Sequence, residues 1–223
     1  MSAFNHSLRL GAASLLVMFL GSYVFATDVA AEENRDISRI NRGITVDSEE
    51  MVGDLSSVNG GIRVAEGASA EKVSTVNGSI DIDDGADVYS ASTVNGGISI
   101  GAAVTVRNSL ETVNGGISTR AGTTVEDSIE TVNGRVRLRD TEVGGDIETS
   151  NGDIEVLDGS RVEGDILVKG RRHWWDRFFD FSNRPPEIEI DANSSVLGDI
   201  HLYREVELKI ADGAVVGEII EHF

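Results

Sequence analysis

The chain of 223 residues has no cysteine, so neither a disulfide framework nor a thiolate nucleophile or metal ligand can be built from it. Only two prolines occur, side by side at Pro185-Pro186, which excludes a proline-rich linker. Aromatic residues make up 5% of the chain, so a core must come from aliphatic side chains. Basic residues are scarce, 19 Lys and Arg against 38 Asp and Glu, and this imbalance argues against nucleic acid as a partner. Beyond the N-terminal segment the histidines are His173, His201 and His222. There is no His-x-x-x-His spacing, no Gly-x-Ser-x-Gly elbow and no phosphate-binding glycine motif. No catalytic residue, cofactor or metal site is expected, and a polysaccharide-cleaving β-helix enzyme is the weakest of the functional alternatives.

The N-terminus carries Arg9, an apolar run from Leu10 to Phe25 and a small-residue site at Val24-Phe25-Ala26. This is the pattern of a secretory signal peptide over residues 1–26, with a second cleavage site after Ala31 as the alternative. The run contains Gly11, Ser14, Gly21 and Ser22 and is shorter than the ~20 residues a membrane-spanning helix requires. An exported protein, periplasmic or on the cell surface, is expected, with residues 27–36 as a flexible lead-in.

What is abundant is repetition. Val58-Asn59-Gly60-Gly61-Ile62 returns at 76–80, 94–98, 113–117 and, with changes, at 132–136 and 150–154. Ile40-Asn41-Arg42-Gly43-Ile44 is a degenerate first copy. The asparagines Asn41, Asn59, Asn77, Asn95, Asn114, Asn133 and Asn151 are thus 18 or 19 residues apart. Apolar residues stand three and five positions after each asparagine, as in Ile80 and Ile82, and four before it, as in Val73. A third, less regular apolar position falls at Val88, Val104, Val125, Val143 and Val162.

Each unit therefore reads as three short strands with period-two alternation. Strands so short bury nothing alone, and the fixed unit length calls for parallel stacking, coil upon coil. The expected fold is all-β: a single-stranded parallel β-helix, or β-solenoid, of about nine coils over residues 37–223. The Asn-Gly pair suits a corner, because both residues tolerate the left-handed backbone, and the seven asparagines are expected to form a structural ladder. The stack also sets Arg63 beside Asp81, Arg137 beside Glu155 and Arg135 beside Asp153, opposite charges that favour the register. Thr75, Thr93, Thr112, Thr131 and Thr149 form a further row; Glu111, Glu130 and Glu148 beside it argue against a flat ice-binding face.

After Asn151 the rhythm continues, because Gly145-Asp146-Ile147 recurs as Gly164-Asp165-Ile166, Gly198-Asp199-Ile200 and Gly217-Glu218-Ile219. The acidic members are expected at solvated corners. One coil is interrupted by about 15 extra residues within 170–186. Placed on a helix, Trp174, Trp175, Phe178, Phe179 and Phe181 share one arc. With Arg171, Arg172 and Arg177 they form the candidate contact for a protein partner or, peripherally, a membrane surface.

Through the Val-Asn-Gly-Gly-Ile repeats the chain resembles the adhesin-type β-solenoid domains of exported bacterial envelope proteins. Through Gly164-Asp165-Ile166, Gly198-Asp199-Ile200 and residues 210–219 it resembles bactofilins, the polymer-forming β-helices. These resemblances imply a right-handed coil and either of two non-enzymatic roles. The first is an envelope scaffold or adhesin-like binding module, and the second is a filament-forming structural protein that self-associates through its ends.

Overall fold

The computed structural model describes residues 35–170 and 184–223, and every element within them is a β-strand. The signal peptide, most of the lead-in and the aromatic contact residues Arg171, Arg172, Trp174, Trp175, Arg177, Phe178, Phe179 and Phe181 lie outside the described residues.

The chain winds as a parallel β-solenoid of about nine turns with three faces. The first face holds the strands that lead into the asparagine corner, from Ile37–Arg39 through Leu55–Asn59 and Leu110–Asn114 to Ile219–Glu221. The second holds nine strands that leave that corner, from Ile44–Val46 to Glu207–Ile210. The third is built of two- and three-residue strands, Thr105–Val106 through Val215–Val216. All strand pairs are parallel and in register, so Val73 lies on Ala91, Ala91 on Leu110, and Leu110 on Ile129. At ~4.8 Å per coil the described rod is about 40 Å long.

One coil shows how the sequence fills the interior. Ile80, Ile82, Ala86, Val88, Ala91 and Thr93 all point inward and are buried. Their outward neighbours are polar, as period-two alternation requires. Each Ile or Val so buried contributes about 1.5–3 kcal/mol relative to exposure, and stacking makes the contacts continuous along the axis. In the third column the ladder member is Val106, paired with Val88 and Val125, rather than Val104. Val104 is also buried, but it lies two residues earlier, just before the Thr105–Val106 strand.

Corner lengths explain the 18- and 19-residue steps. Two residues, Tyr89-Ser90, separate Val88 from Ala91, and the chain runs unbroken through Asp87–Asn95. From Arg107-Asn108-Ser109 onward the same corner takes three residues, the strand divides into Thr105–Val106 and Leu110–Asn114, and the step lengthens to 19. The return to 18 comes from the opposite corner, where Arg139-Asp140 replaces the three residues Arg120-Ala121-Gly122 and Asp140 adopts φ 44°.

Among the described residues left-handed backbone is confined to that second corner and is absent from the asparagine corner, which corrects the expectation for Asn-Gly. Positive φ occurs at Glu49, Gly67, Gly85, Ala103, Gly122, Asp140, Asp158, Gly159 and Gly213. The glycine after each asparagine answers to coil stacking instead. A Cβ on Gly60 would stand 2.5 Å from the Arg42 carbonyl oxygen, and on Gly78, Gly96, Gly115, Gly134 and Gly152 closer still to the glycine oxygen one coil below.

Candidate functional site: the first face and its asparagine edge

The asparagine side chains are hydrogen-bonded in one unbroken series. Each Nδ2 donates to the Oδ1 of the preceding coil, at 3.0 Å for Asn59 to Asn41, 2.8 Å for Asn77 to Asn59, and 2.9–3.1 Å for the four bonds that end at Asn151. A second series runs inside it. Thr75, Thr93, Thr112 and Thr131 are buried and donate Oγ1–H to the carbonyls of Gly60, Gly78, Gly96 and Gly115. The threonine row therefore faces the core, and no ice-binding surface can be made from it.

One coil above Asn151 the ladder position falls to Gly170. The guanidinium of Arg204, a further coil on, reaches across and donates to Asn151 Oδ1 at 2.7 Å and to the Ser150 carbonyl at 3.1 Å. A Cβ on Gly170 would lie 2.5 Å from the Tyr203 carbonyl oxygen. The aromatic insertion thus leaves the solenoid at the asparagine edge, where the ladder ends under Arg204, and it rejoins the second face at Glu187–Ile190.

Acidic side chains on the third corner act as caps. Asp146 Oδ1 accepts the Asp165 N–H at 2.8 Å, Asp165 Oδ1 that of Asp199 at 2.8 Å, and Asp199 Oδ1 that of Glu218 at 2.9 Å. Asp36 and Asp54 do the same for Asp54 and Lys72 in the first coils. These carboxylates are partners of the backbone as well as solvated corner groups.

The charged pairs follow the stack with one difference. Arg135 Nη2 meets Asp153 Oδ2 at 3.1 Å, and Arg137 is bidentate on Glu155, with Nη2 to Oε1 at 3.2 Å. Arg63 is in register with Asp81, yet its Nη2 pairs with Asp83 Oδ2 at 2.7 Å. The long side chain leans along the strand to a carboxylate two residues farther on. Asp153 also takes Arg184 Nη2 at 2.7 Å and the Glu187 N–H at 3.0 Å. Its partial burial opposes ionisation, but the Glu187 N–H, Arg135 and Arg184 outweigh that and hold its pKa below the ordinary aspartate value.

Outside, the first face carries two columns, of which sequence reasoning passed over the valines and used the glutamates only to argue against an ice-binding face. Val58, Val76, Val94, Val113 and Val132 are each about 40% exposed in unbroken succession. Beside them Ser56, Ser74 and Ser92 give way to Glu111, Glu130 and Glu148, stacked in register. A shallow groove of about 330 Å³ lies between the valines and the carboxylates. Glu148 is paired with Lys169, and Glu111 accepts Ser109 Oγ–H at 2.8 Å. Glu130 sits between them, and burial, then Glu148 and Glu111, raise its pKa. The signal was legible in the repeat phrase, whose leading valine is one residue too late to share the buried parity of the threonine. Among the described residues no group of three or more His, Asp or Glu side chains is arranged to hold a metal ion.

No family model matches the chain, and neither a curated protein nor a solved structure is similar enough to it to match.

Proposed function

We propose that this chain is a non-enzymatic, exported envelope scaffold that binds a partner through the side of its solenoid, with the 170–186 insertion as the principal contact. The supporting observation is where the insertion is mounted. It departs from Gly170 at the asparagine edge, beside the groove of valines and glutamates, and Lys169 already reaches Glu148 of that groove. The stacking side chains inside and along the corners are engaged with one another, which leaves the outer face of the described coils to contact something else. Cationic and aromatic residues concentrated on an acidic rod suit a partner with an apolar, anionic surface, protein or envelope component.

The strands flanking the insertion are held in the ladder independently of it: Ile166 pairs with Ile147 and Ile200, and Ile188 with Ile154 and Leu208. Removing residues 171–185 restores the four-residue spacing of the preceding coil, where 150–153 separate Thr149 from Ile154. The deletion variant is expected to remain a folded, cooperatively melting β protein and to lose envelope association. A variant that fractionates with the envelope as the full chain does would overturn the assignment.

A second reading, self-association through the solenoid end, is favoured by a separate observation. At the C-terminal coil Val215, Ile219 and Phe223 are 57%, 43% and 65% exposed, and Leu208, Ile210 and Val216 are only partly buried. The strands there, Glu207–Ile210, Val215–Val216 and Ile219–Glu221, are each paired on one side alone. Sedimentation of the protein over a range of concentrations tests it.

A further inference from the structure

We propose that His201 and His222 form a two-nitrogen site for a divalent transition metal, Cu²⁺, Ni²⁺ or Zn²⁺, which ties the terminal strand of the solenoid to the coil before it. The two residues are far apart in sequence and are brought together by register. Leu202 pairs with Glu221, so His222 falls beside Tyr203 and diagonally above His201. Their facing nitrogens, His201 Nδ1 and His222 Nε2, are 3.1 Å apart. Nitrogens that share a tetrahedral metal at ~2.0–2.1 Å stand about 3.3 Å from each other, so the separation already matches to a few tenths of an ångström and occupancy asks for the two rings to turn toward a common ion.

The surroundings favour the geometry of a ligating pair. Asp165 Oδ2 lies 3.6 Å from His201 Nε2, the ring nitrogen that does not face His222, which places a carboxylate where the outer partner of a ligating imidazole stands. That carboxylate is itself located by the Asp199 N–H on its other oxygen. The Tyr203 ring stacks on His222 with centroids 4.3 Å apart and planes 9° from parallel, which fixes the second imidazole. Imidazole ligands without sulfur suit Cu²⁺, Ni²⁺ and Zn²⁺, with Cu²⁺ bound most tightly, and water completes the shell. Because Ile219–Glu221 is paired on one side alone, a bridge between the two histidines adds a tie that its hydrogen bonds lack. The inference is independent of the partner contact proposed above.

The test is titration of the tag-free full chain with Cu²⁺ and Zn²⁺ at neutral pH. One equivalent of Cu²⁺ is expected to bind with a two-nitrogen signature in electron paramagnetic resonance, and Zn²⁺ is expected to raise the melting temperature. His201→Gln and His222→Gln should each abolish both effects, with folding unaffected because both side chains are on the outer face. Asp165→Asn, which keeps the oxygen that accepts the Asp199 N–H, should weaken binding by about tenfold. His173→Gln should change nothing. Cu²⁺ binding that survives in the His201→Gln/His222→Gln double variant, or that vanishes with His173→Gln, overturns the proposal.

Discussion

At Gly115 and Gly85 glycine answers two different physical demands. Gly85 has φ 68° and nothing within 4 Å of an added Cβ, so alanine there meets only the left-handed backbone penalty of about 1–2 kcal/mol. The chain itself places Ala103 at the equivalent position of the next coil, with φ 54°. At Gly115 a Cβ would fall on the Gly96 carbonyl, which the Thr112 hydroxyl already engages. Relief requires the coils to part, an overpacking cost of about 3 kcal/mol or more. In the first copy the position is Arg42, where a side chain is tolerated. Asn114→Ala removes two exposed ladder bonds, each worth at most about 1 kcal/mol. Urea unfolding should therefore rank Gly115→Ala as the most damaging of the three; a Gly85→Ala midpoint below that of Gly115→Ala would refute the close-approach account of the Asn-Gly glycine.

Along the first face three glutamates stack in register where the earlier coils carry serine, and among the described residues Glu130 in the middle has no ion pair of its own, Lys169 being engaged by Glu148. Its raised pKa, caused by burial and then by Glu148 and Glu111, has a definite sign for stability. The folded state holds the proton more tightly than the unfolded chain, so the destabilisation is absent below the unfolded value of about 4.3 and grows as pH rises through the folded pKa. Glu130→Gln is thus expected to raise the melting temperature at neutral pH, with the gain shrinking toward zero in acid. Asp153 behaves oppositely: its depressed pKa contributes stability above about 3.9 that is lost as pH falls through the folded value. A neutral-pH melting temperature unchanged by Glu130→Gln would mean that solvent screens the row. The ladders on this element were legible because period and spacing alone fix which residues stack, and nine coils, three strands per unit and the asparagine column follow from counting. The left-handed corner was not legible, since Glu49, Gly67, Gly85 and Ala103 share a conformation without sharing a residue type. Nor was the Arg63 to Asp83 pair, which depends on side-chain reach rather than register.

For the whole molecule, a rod of repeats has a stability that is the sum of its coils and of the interfaces between them, so its ends decide how it behaves. The interior coils bury their six inward positions, whereas at the C-terminal coil Leu208, Ile210, Ala214 and Val216 are only partly covered and Val215 and Ile219 are exposed. No bulge, proline or row of lysines blunts its three one-sided strands, and an unprotected edge of that kind pairs readily with another chain. Hydrogen exchange in dilute solution should find the amides of Glu207–Ile210 and Ile219–Glu221 least protected, because opening this coil uncovers little that is not already exposed. Raising the concentration should slow that exchange and increase the sedimentation coefficient together, if the coil is buried against a second copy. Ile219→Lys puts a charge on the exposed end while leaving the Ile200 to Ile166 ladder beneath it intact, so it should abolish the concentration dependence without lowering the stability of the interior coils. Association that persists unchanged in Ile219→Lys would move the contact away from the open coil and back to the side of the rod, where the insertion is mounted.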